Sequence, residues 1–314
     1  MKLNRVLIVI SLMSLLLAFE AGSQGFKPAA SDTSWINRKY MDLSYSTQSK
    51  TQKLDLYLPN EGSEPFPLII EIHGGGFIMG SKSESITPML AGLKRGYALA
   101  SINYRLSGEA TWPAQINDVK TAIMFLRANA ATYRLDPERF ATWGSSAGGN
   151  LSALAAVSGG VKELSDATLG NYSVSDKVQA AVDWFGPIWF SSMDTEFAAL
   201  GTTGVMGATN APTSAESKYL GKTIGTPEAQ PLVVAASPRT YISVDDPPML
   251  IQHGTKDRNI PITQSIDFAA ALSTAIGKGK VYFEAIEGAA HGGAQFESEA
   301  NTAKVLDFLD TYLK

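Results

Sequence analysis

Apolar and polar positions along the chain follow two regimes. Stretches such as "PLIIEI" and "PPMLIQ" run apolar rather than alternating, between turn-forming residues. That is the pattern of strands covered on both faces of a parallel sheet. Eight strands are expected: Tyr40 to Ser46, Gln52 to Pro59, Pro67 to His73, Tyr97 to Arg105, Arg139 to Trp143, Val178 to Phe185, Pro248 to His253 and Lys280 to Ile286. Between them lie helical periods at Ile86 to Arg95, Pro113 to Ala131, Ala147 to Val157, Ile262 to Ile276 and Ala300 to Leu313. In "PAQINDVKTAIMFLRANA", Ile116, Val119, Ile123 and Leu126 recur every three or four residues. Alternating strand and helix predict an α/β domain with an open, mostly parallel eight-stranded sheet flanked by helices. From 188 to 240 the period is lost in a mixture of small residues and turn formers, "ALGTTGVMGATNAPTSAES" among them. So long an irregular connection is either a functional lid or a stretch of unrecognised helices, and a lid with short helices, inserted after the sixth strand, is the expectation.

Length and charge narrow the picture. With 314 residues and no composition shift, one domain over 24–314 is expected. A formal net charge of −4, with no basic run past the first few residues, gives no footprint for nucleic acid or an anionic membrane. The N-terminus differs in kind: Lys2 and Arg5 precede an apolar run from Val6 to Phe19, followed by Ala21, Gly22 and Ser23. This reads as a signal peptide over 1–23, cut near Ser23 or Gly25. The alternative is an uncleaved anchor, but the run has about 14 residues, where a spanning helix wants about 20. A secreted or periplasmic protein with no stable membrane anchor is therefore expected. The chain has no cysteine, which excludes disulfides, thiolate metal sites and a lipidated N-terminal cysteine.

The chemistry enters at "FATWGSSAGGNL". A GxSxG pentapeptide between a strand and a helix marks a nucleophile elbow, and Gly144, Ser146 and Gly148 meet its spacing. A register centred on Ser145 would put Trp143 where the first glycine belongs. A tight glycine turn without chemistry is the rival. Serine needs a base, and the chain has three histidines. His73 and His253 stand at strand ends, whereas His291 lies in the loop "EGAAHGG" after the last strand and is free to reach the elbow. His253 is assigned a satisfied structural role. Asp257, in "HGTKDRNIP", falls just past a strand and 34 residues before His291. That places it at the carboxyl edge of the sheet as the third member, and the order Ser146, Asp257, His291 is the hydrolase order. Asp118, Asp183 and Asp245 are rival acids; Asp118, in a helix, and Asp183, on another strand, read as structural. In "HGGGF", glycines after a strand let backbone N–H groups approach a substrate, so Gly75 and Gly76, with the N–H of Ala147, are the candidate oxyanion donors. No metal or organic cofactor is expected. The "GKT" at 221–223 fails as a phosphate loop because Glu216 stands where a glycine is needed.

With those residues named, the chain resembles the α/β-hydrolases of the esterase and lipase kind. "HGGGF", "GSSAGGN", "HGTKDRNIP" and "GAAHGG", together with "INYRL", "WPAQINDVKTAIMFLRANA" and "VDWFGP", are similar to bacterial feruloyl-esterase-like hydrolases near the hormone-sensitive-lipase group. The resemblance implies the α/β-hydrolase fold, Ser146, Asp257 and His291 as triad, and Gly75, Gly76 and Ala147 as oxyanion donors. Two departures stand out. Hormone-sensitive-lipase relatives usually carry an aspartate before the nucleophile and a "DPL" acid motif, where this chain has Ser145 and "HGTKD". They also carry an N-terminal helical cap, for which the residues before Tyr40 leave little room, so 188–240 must supply the cover. Trp189 and Phe190 either line the acyl or alcohol pocket or join the core.

The expected activity is that of a serine carboxylesterase on small esters with short or aromatic acyl groups; polysaccharide-linked or polymeric esters are candidates as well. A serine peptidase of the prolyl-peptidase kind, and a non-catalytic ligand-binding protein on the same fold, are the alternatives.

Overall fold

A computed structural model describes residues 31–314, apart from Ser85. The signal-peptide reading of 1–23 lies outside the described residues. The apolar runs become eight strands: β1 (Arg38–Ser44), β2 (Lys53–Leu58), β3 (Phe66–Ile72), β4 (Ala98–Ile102), β5 (Leu135–Ser145), β6 (Ala180–Trp184), β7 (Met249–Gly254) and β8 (Val281–Ile286). They form one sheet in the order β1-β2-β4-β3-β5-β6-β7-β8. Pairing is antiparallel from β1 through β2 to β4 and parallel from β4 onward. Strands β3, β4 and β6 are buried throughout, and β5 from Phe140 to Gly144, because helices cover both faces there.

The main helices are α1 (Thr87–Lys94), α2 (Ala114–Ala128), the short α3 (Ala130–Tyr133) and α4 (Ala147–Val157). Then come α5 (Met193–Ala199), α6 (Ala215–Leu220), α7 (Gln230–Ala236), α8 (Thr263–Ile276), α9 (Ala294–Glu297) and α10 (Glu299–Leu313). One core layer holds Ile116 and Val119 of α2, Leu151 of α4 and Phe268 of α8 against one face of the sheet. The other holds Met89 of α1 and Leu306 of α10 against the opposite face. No helix among the described residues is long and apolar enough to cross a membrane.

Two boundaries differ from the sequence expectation for local reasons. Strand β5 begins at Leu135, not Arg139, because Leu135 pairs with Phe66 and the chain then bulges before Phe140 resumes pairing with Leu68. The turn-forming "DPE" sits in that bulge, where the missing N–H of Pro137 costs no ladder bond. The second helix breaks at Asn129, whose side-chain amide donates to the Phe125 carbonyl (2.8 Å). That local bond competes with continued helix.

The segment expected as a lid contains α5, α6, α7 and short 3₁₀ turns, all between β6 and β7. Tyr219 of α6 stacks on Phe77, just past the three glycines, with ring centroids 3.8 Å apart. At the other end Arg258 donates to the Thr203 carbonyl (2.9 Å), and the Val205 N–H donates back to the Arg258 carbonyl (2.9 Å). The insertion is thus tied both to the "HGGGF" loop and to the loop that carries Asp257.

Candidate active site

Ser146 sits where β5 turns into α4, at φ 56° and ψ −123°. A non-glycine residue holds such a conformation only where its surroundings impose it. Here the constraint is close packing of backbone on backbone. A Cβ at Gly144 would collide with the Gly148 carbonyl, and one at Gly148 with the Ile72 carbonyl of β3. The Ser146 N–H donates to the Trp184 carbonyl at the end of β6 (2.8 Å). The hydroxyl therefore stands at the positive end of α4, at the carboxyl edge of the sheet.

The structure brings the three expected catalytic side chains together. His291 Nε2 lies 2.9 Å from Ser146 Oγ, and His291 Nδ1 lies 2.7 Å from Asp257 Oδ2. Each member comes from a separate turn after a strand: Ser146 after β5, Asp257 after β7, His291 after β8. The Asp257 side chain is fully buried. Its Oδ1 accepts the backbone N–H groups of Asn259 (2.7 Å) and Ile260 (3.0 Å). Burial alone would push its carboxyl up. Hydrogen bonds from His253 and His291 outweigh burial and hold it well below the usual carboxylate range. A carboxylate that stays ionised fixes His291 with its proton on Nδ1 and leaves Nε2 free to take the serine proton.

The oxyanion candidates also converge. Gly75 and Gly76 adopt φ +101° and +59°, in the region that favours glycine. Neither their N–H groups nor that of Ala147, the first residue of α4, donates to any described residue. His73 holds the start of this loop. Its Nδ1–H donates to the Gly74 carbonyl (2.8 Å), and its ring stacks on Tyr104 at 4.3 Å. Burial pushes the His73 imidazole down to about 4 against the opposing Gly74 hydrogen bond, so it stays a neutral brace.

The rival acids are elsewhere. Asp118 is fully buried in an ion pair with Arg105 (2.7 Å) and accepts from Gln52 (2.7 Å). Asp183, on β6, accepts the Gly186 N–H (2.8 Å), and burial pushes its carboxyl up to about 6 against that bond. Phe190 belongs to the core, edge-on to Phe77 and Tyr219. Trp189 lines a separate cavity of about 460 Å³ with Ile188, Glu196, Gln264 and Phe268, and not with Ser146, Asp257 or His291.

Two contacts escaped the sequence reading. Phe185 packs its ring against His291, centroids 4.6 Å apart. His253, expected to be purely structural, reaches Asp257 Oδ2 at 3.2 Å. The spacing of four between His253 and Asp257 was the available signal for the second contact. Among the described residues no group of three or more His, Cys, Asp or Glu side chains could hold a metal ion.

Known proteins resemble this chain in sequence and fold. The BD-FAE family profile matches residues 54–272. Esterase LipQ of Mycobacterium tuberculosis is 30% identical over 274 residues, covering 85% of this chain and 61% of LipQ. The probable carboxylic ester hydrolase LipM of the same organism is 30% identical over 250 residues, covering 77% of this chain and 54% of LipM. The chain thus spans between half and two thirds of the length of these curated relatives. A solved truncated form of a carbohydrate esterase from gut microbiota is 34% identical with a TM-score of 0.78, covering 90% of this chain and 99% of that one. Thermogutta terrifontis esterase 2, at 22% identity and a TM-score of 0.68 over 89% of this chain and 96% of its own, shares the fold. With the family profile spanning well over half of the sequence and an eight-stranded sheet carrying Ser146, Asp257 and His291 on the edge turns after β5, β7 and β8, the chain is an α/β-hydrolase and belongs to the BD-FAE family.

Proposed function

We propose that the protein is a serine carboxylesterase acting on short-chain or aromatic carboxylic esters through an acyl-enzyme. Ser146 Oγ attacks the ester carbonyl carbon while His291 Nε2 takes its proton, and the carbonyl oxygen becomes an oxyanion held by the N–H groups of Gly75, Gly76 and Ala147. The tetrahedral intermediate collapses, the C–O bond to the alcohol breaks, and His291 returns the proton to the leaving alkoxide. Water then attacks the acyl-serine by the same route and releases the acid. The observation that carries this reading is the continuous pair of contacts from Ser146 Oγ through His291 to Asp257, at 2.9 and 2.7 Å.

The insertion between β6 and β7 serves in this reading as a cover over the substrate entrance, since α6 begins at Ala215, directly above Gly76. The carbohydrate esterase relative supports polysaccharide-linked esters as one substrate class. Export to the periplasm or the medium after removal of 1–23 completes the proposal. N-terminal sequencing of the mature protein should begin within a few residues of Ser23, and an intact Met1 in the cell membrane fraction overturns export.

The test of the activity is kcat/KM on a p-nitrophenyl ester series from acetate to laurate, with Ser146→Ala alongside. The wild type should prefer short chains and the variant should lose about a thousandfold or more. Equal, slow rates for both proteins would reject Ser146 as the nucleophile. In that case turnover of a proline-containing peptide amide would favour the peptidase alternative, and failure to react with a serine-directed phosphonate would favour a binding protein.

A further inference from the structure

We propose that His253, backed by Ser265, is a positioning residue for the triad, holding the Asp257 carboxylate in the orientation that His291 requires. The proposal rests on the reading of Ser146, Asp257 and His291 as the catalytic groups. His253 is the penultimate residue of β7, four residues before Asp257, and is completely buried. Among the described residues its Nε2 faces two acceptors, the Ile260 carbonyl at 3.0 Å and Asp257 Oδ2 at 3.2 Å. A ring nitrogen between two acceptors must carry the proton. The other nitrogen, Nδ1, lies 2.7 Å from Ser265 Oγ in α8, and its lone pair accepts the hydroxyl proton. Ser265 therefore holds the far side of an imidazole whose Nε2–H bonds the Ile260 carbonyl and lies beside the triad carboxylate.

The consequence lies in how Asp257 is shared. Oδ1 accepts two backbone N–H groups, Oδ2 accepts the His291 N–H, and His253 Nε2, whose proton goes to the Ile260 carbonyl, stands 3.2 Å from the same Oδ2. Rotation of the carboxylate about its terminal bond would break at least one of the three hydrogen bonds, and the His253 bond to the Ile260 carbonyl fixes the loop residue that supplies one of the donors to Oδ1. The His253 N–H dipole beside Oδ2 also tempers that oxygen's pull on the His291 proton. The charged and titratable groups around His253 are Asp257 from its own loop, Asp183 from β6 and His291 beyond Asp257. None of them can replace its N–H toward Oδ2. A merely structural histidine would satisfy its own ring and stabilise the fold; this one uses its Nε2–H to tie down the residue whose own N–H holds the catalytic acid.

The test compares His253→Leu, His253→Gln and Ser265→Ala with the wild type. Rates on p-nitrophenyl acetate between pH 5 and 9 are normalised to active sites titrated with a serine-directed phosphonate. His253→Leu should lower kcat/KM by about tenfold or more, mainly in kcat. Its acid limb should also move to higher pH, because a carboxylate without the His253 N–H dipole beside it holds the His291 proton more strongly. His253→Gln, whose amide N–H can reach Asp257, should recover part of both effects, and Ser265→Ala should shift the limb the same way by less. Wild-type rates per site and an unmoved limb in every folded variant, with only Tm lowered, would overturn the proposal. Should His253→Leu fail to fold, the glutamine and serine variants decide. A second readout needs no turnover: the low-field proton resonance of the His291 Nδ1–H···Asp257 bond should move in His253→Gln and Ser265→Ala. An unmoved resonance overturns the positioning role even if the esterase reading itself fails.

Discussion

The ring of Phe185 lies against the imidazole of His291, centroids 4.6 Å apart and planes tilted by 60°. Phe185 holds this place with φ 44°, immediately after β6 ends, and is nearly buried between His291 and Phe296. An apolar wall beside the imidazole excludes water from the His291–Asp257 hydrogen bond and limits the ring's rotation. Phe185→Ala is expected to cost about 3 kcal/mol in unfolding free energy. It should also lower kcat by about tenfold in the protein that remains folded. Phe185→Leu should lose less of both. Denaturant melts and active-site-normalised kinetics measure the two effects separately, and an unchanged kcat in the alanine variant would rule out the wall.

The depressed carboxyl of Asp257 has a consequence for pH dependence. Its folded value lies below its unfolded one, so its stabilising contribution is present above the ordinary carboxylate range and is lost only as pH falls toward strong acid. Between pH 5 and 8 it stays ionised. The fall of kcat/KM toward acid should therefore follow a single proton, with a limiting slope of one in a log plot. A slope of two would place Asp257 among the titrating groups.

Glu71 supplies a stability prediction with the opposite sign. Buried in β3, it accepts the Ser101 hydroxyl (2.5 Å), and burial pushes its carboxyl up to about 8 against that hydrogen bond. A carboxyl raised in the folded state stays protonated there while the unfolded chain ionises. Its contribution is complete below about 4.3, the ordinary glutamate value, and is lost as pH rises through about 8. Glu71→Gln should remove that slope and make the protein more stable than wild type near pH 8, as read by urea unfolding at several pH values. Parallel pH profiles for the two proteins would show that Glu71 is not the group responsible.

The oxyanion loop can be probed without touching a catalytic side chain. A Cβ at Gly76 would come within 3.1 Å of the Ala215 methyl, at a backbone φ of +59°. Gly76→Ala should therefore fold with a displaced α6 or a shifted N–H and lose about a hundredfold in kcat. Gly148→Ala, which drives a methyl into the Ile72 carbonyl, should not fold at all. Circular dichroism beside kinetics separates the two outcomes. Full activity in Gly76→Ala would remove its N–H from the mechanism.

The acids can be ranked by substitution. Asp118→Asn leaves Arg105 without its buried partner and should cost about 3 kcal/mol in stability, with kcat unchanged in the folded protein. Asp257→Asn should cost activity by orders of magnitude, since an amide disturbs the His291 tautomer. Comparable kcat losses in both would contradict the assignment of Asp118 as an arginine anchor.

What could be read from residues alone was whatever neighbouring positions encode. The strand runs and helical periods marked all eight strands and the five main helices to within a few residues, because side-chain period follows from backbone geometry. The elbow glycines were legible for the same reason: a turn that tight tolerates few residue types. Chain order then selected Asp257 and His291, since successive parallel strands deliver their following loops to the same edge. The core fate of Phe190, the bounds of the short helices within 188–240 and the helix break at Asn129 were not legible. Each depends on partners or local bonds that leave no periodic trace, as when Phe190 meets Phe77 and Tyr219 from two other segments.

By itself, then, the sequence determined the α/β alternation and the identity of the triad, through patterns that are local or ordered along the chain. Only the tertiary structure decided that His253 shares the Asp257 carboxylate, that Phe185 walls His291 and that Ala215 stands over Gly76. The last two contacts join side chains from different elements at distances set by how the sheet twists and the helices pack, and no spacing within one segment specifies them; the first lies within one strand and its turn, where a spacing of four permits the contact but the fold of the turn decides it.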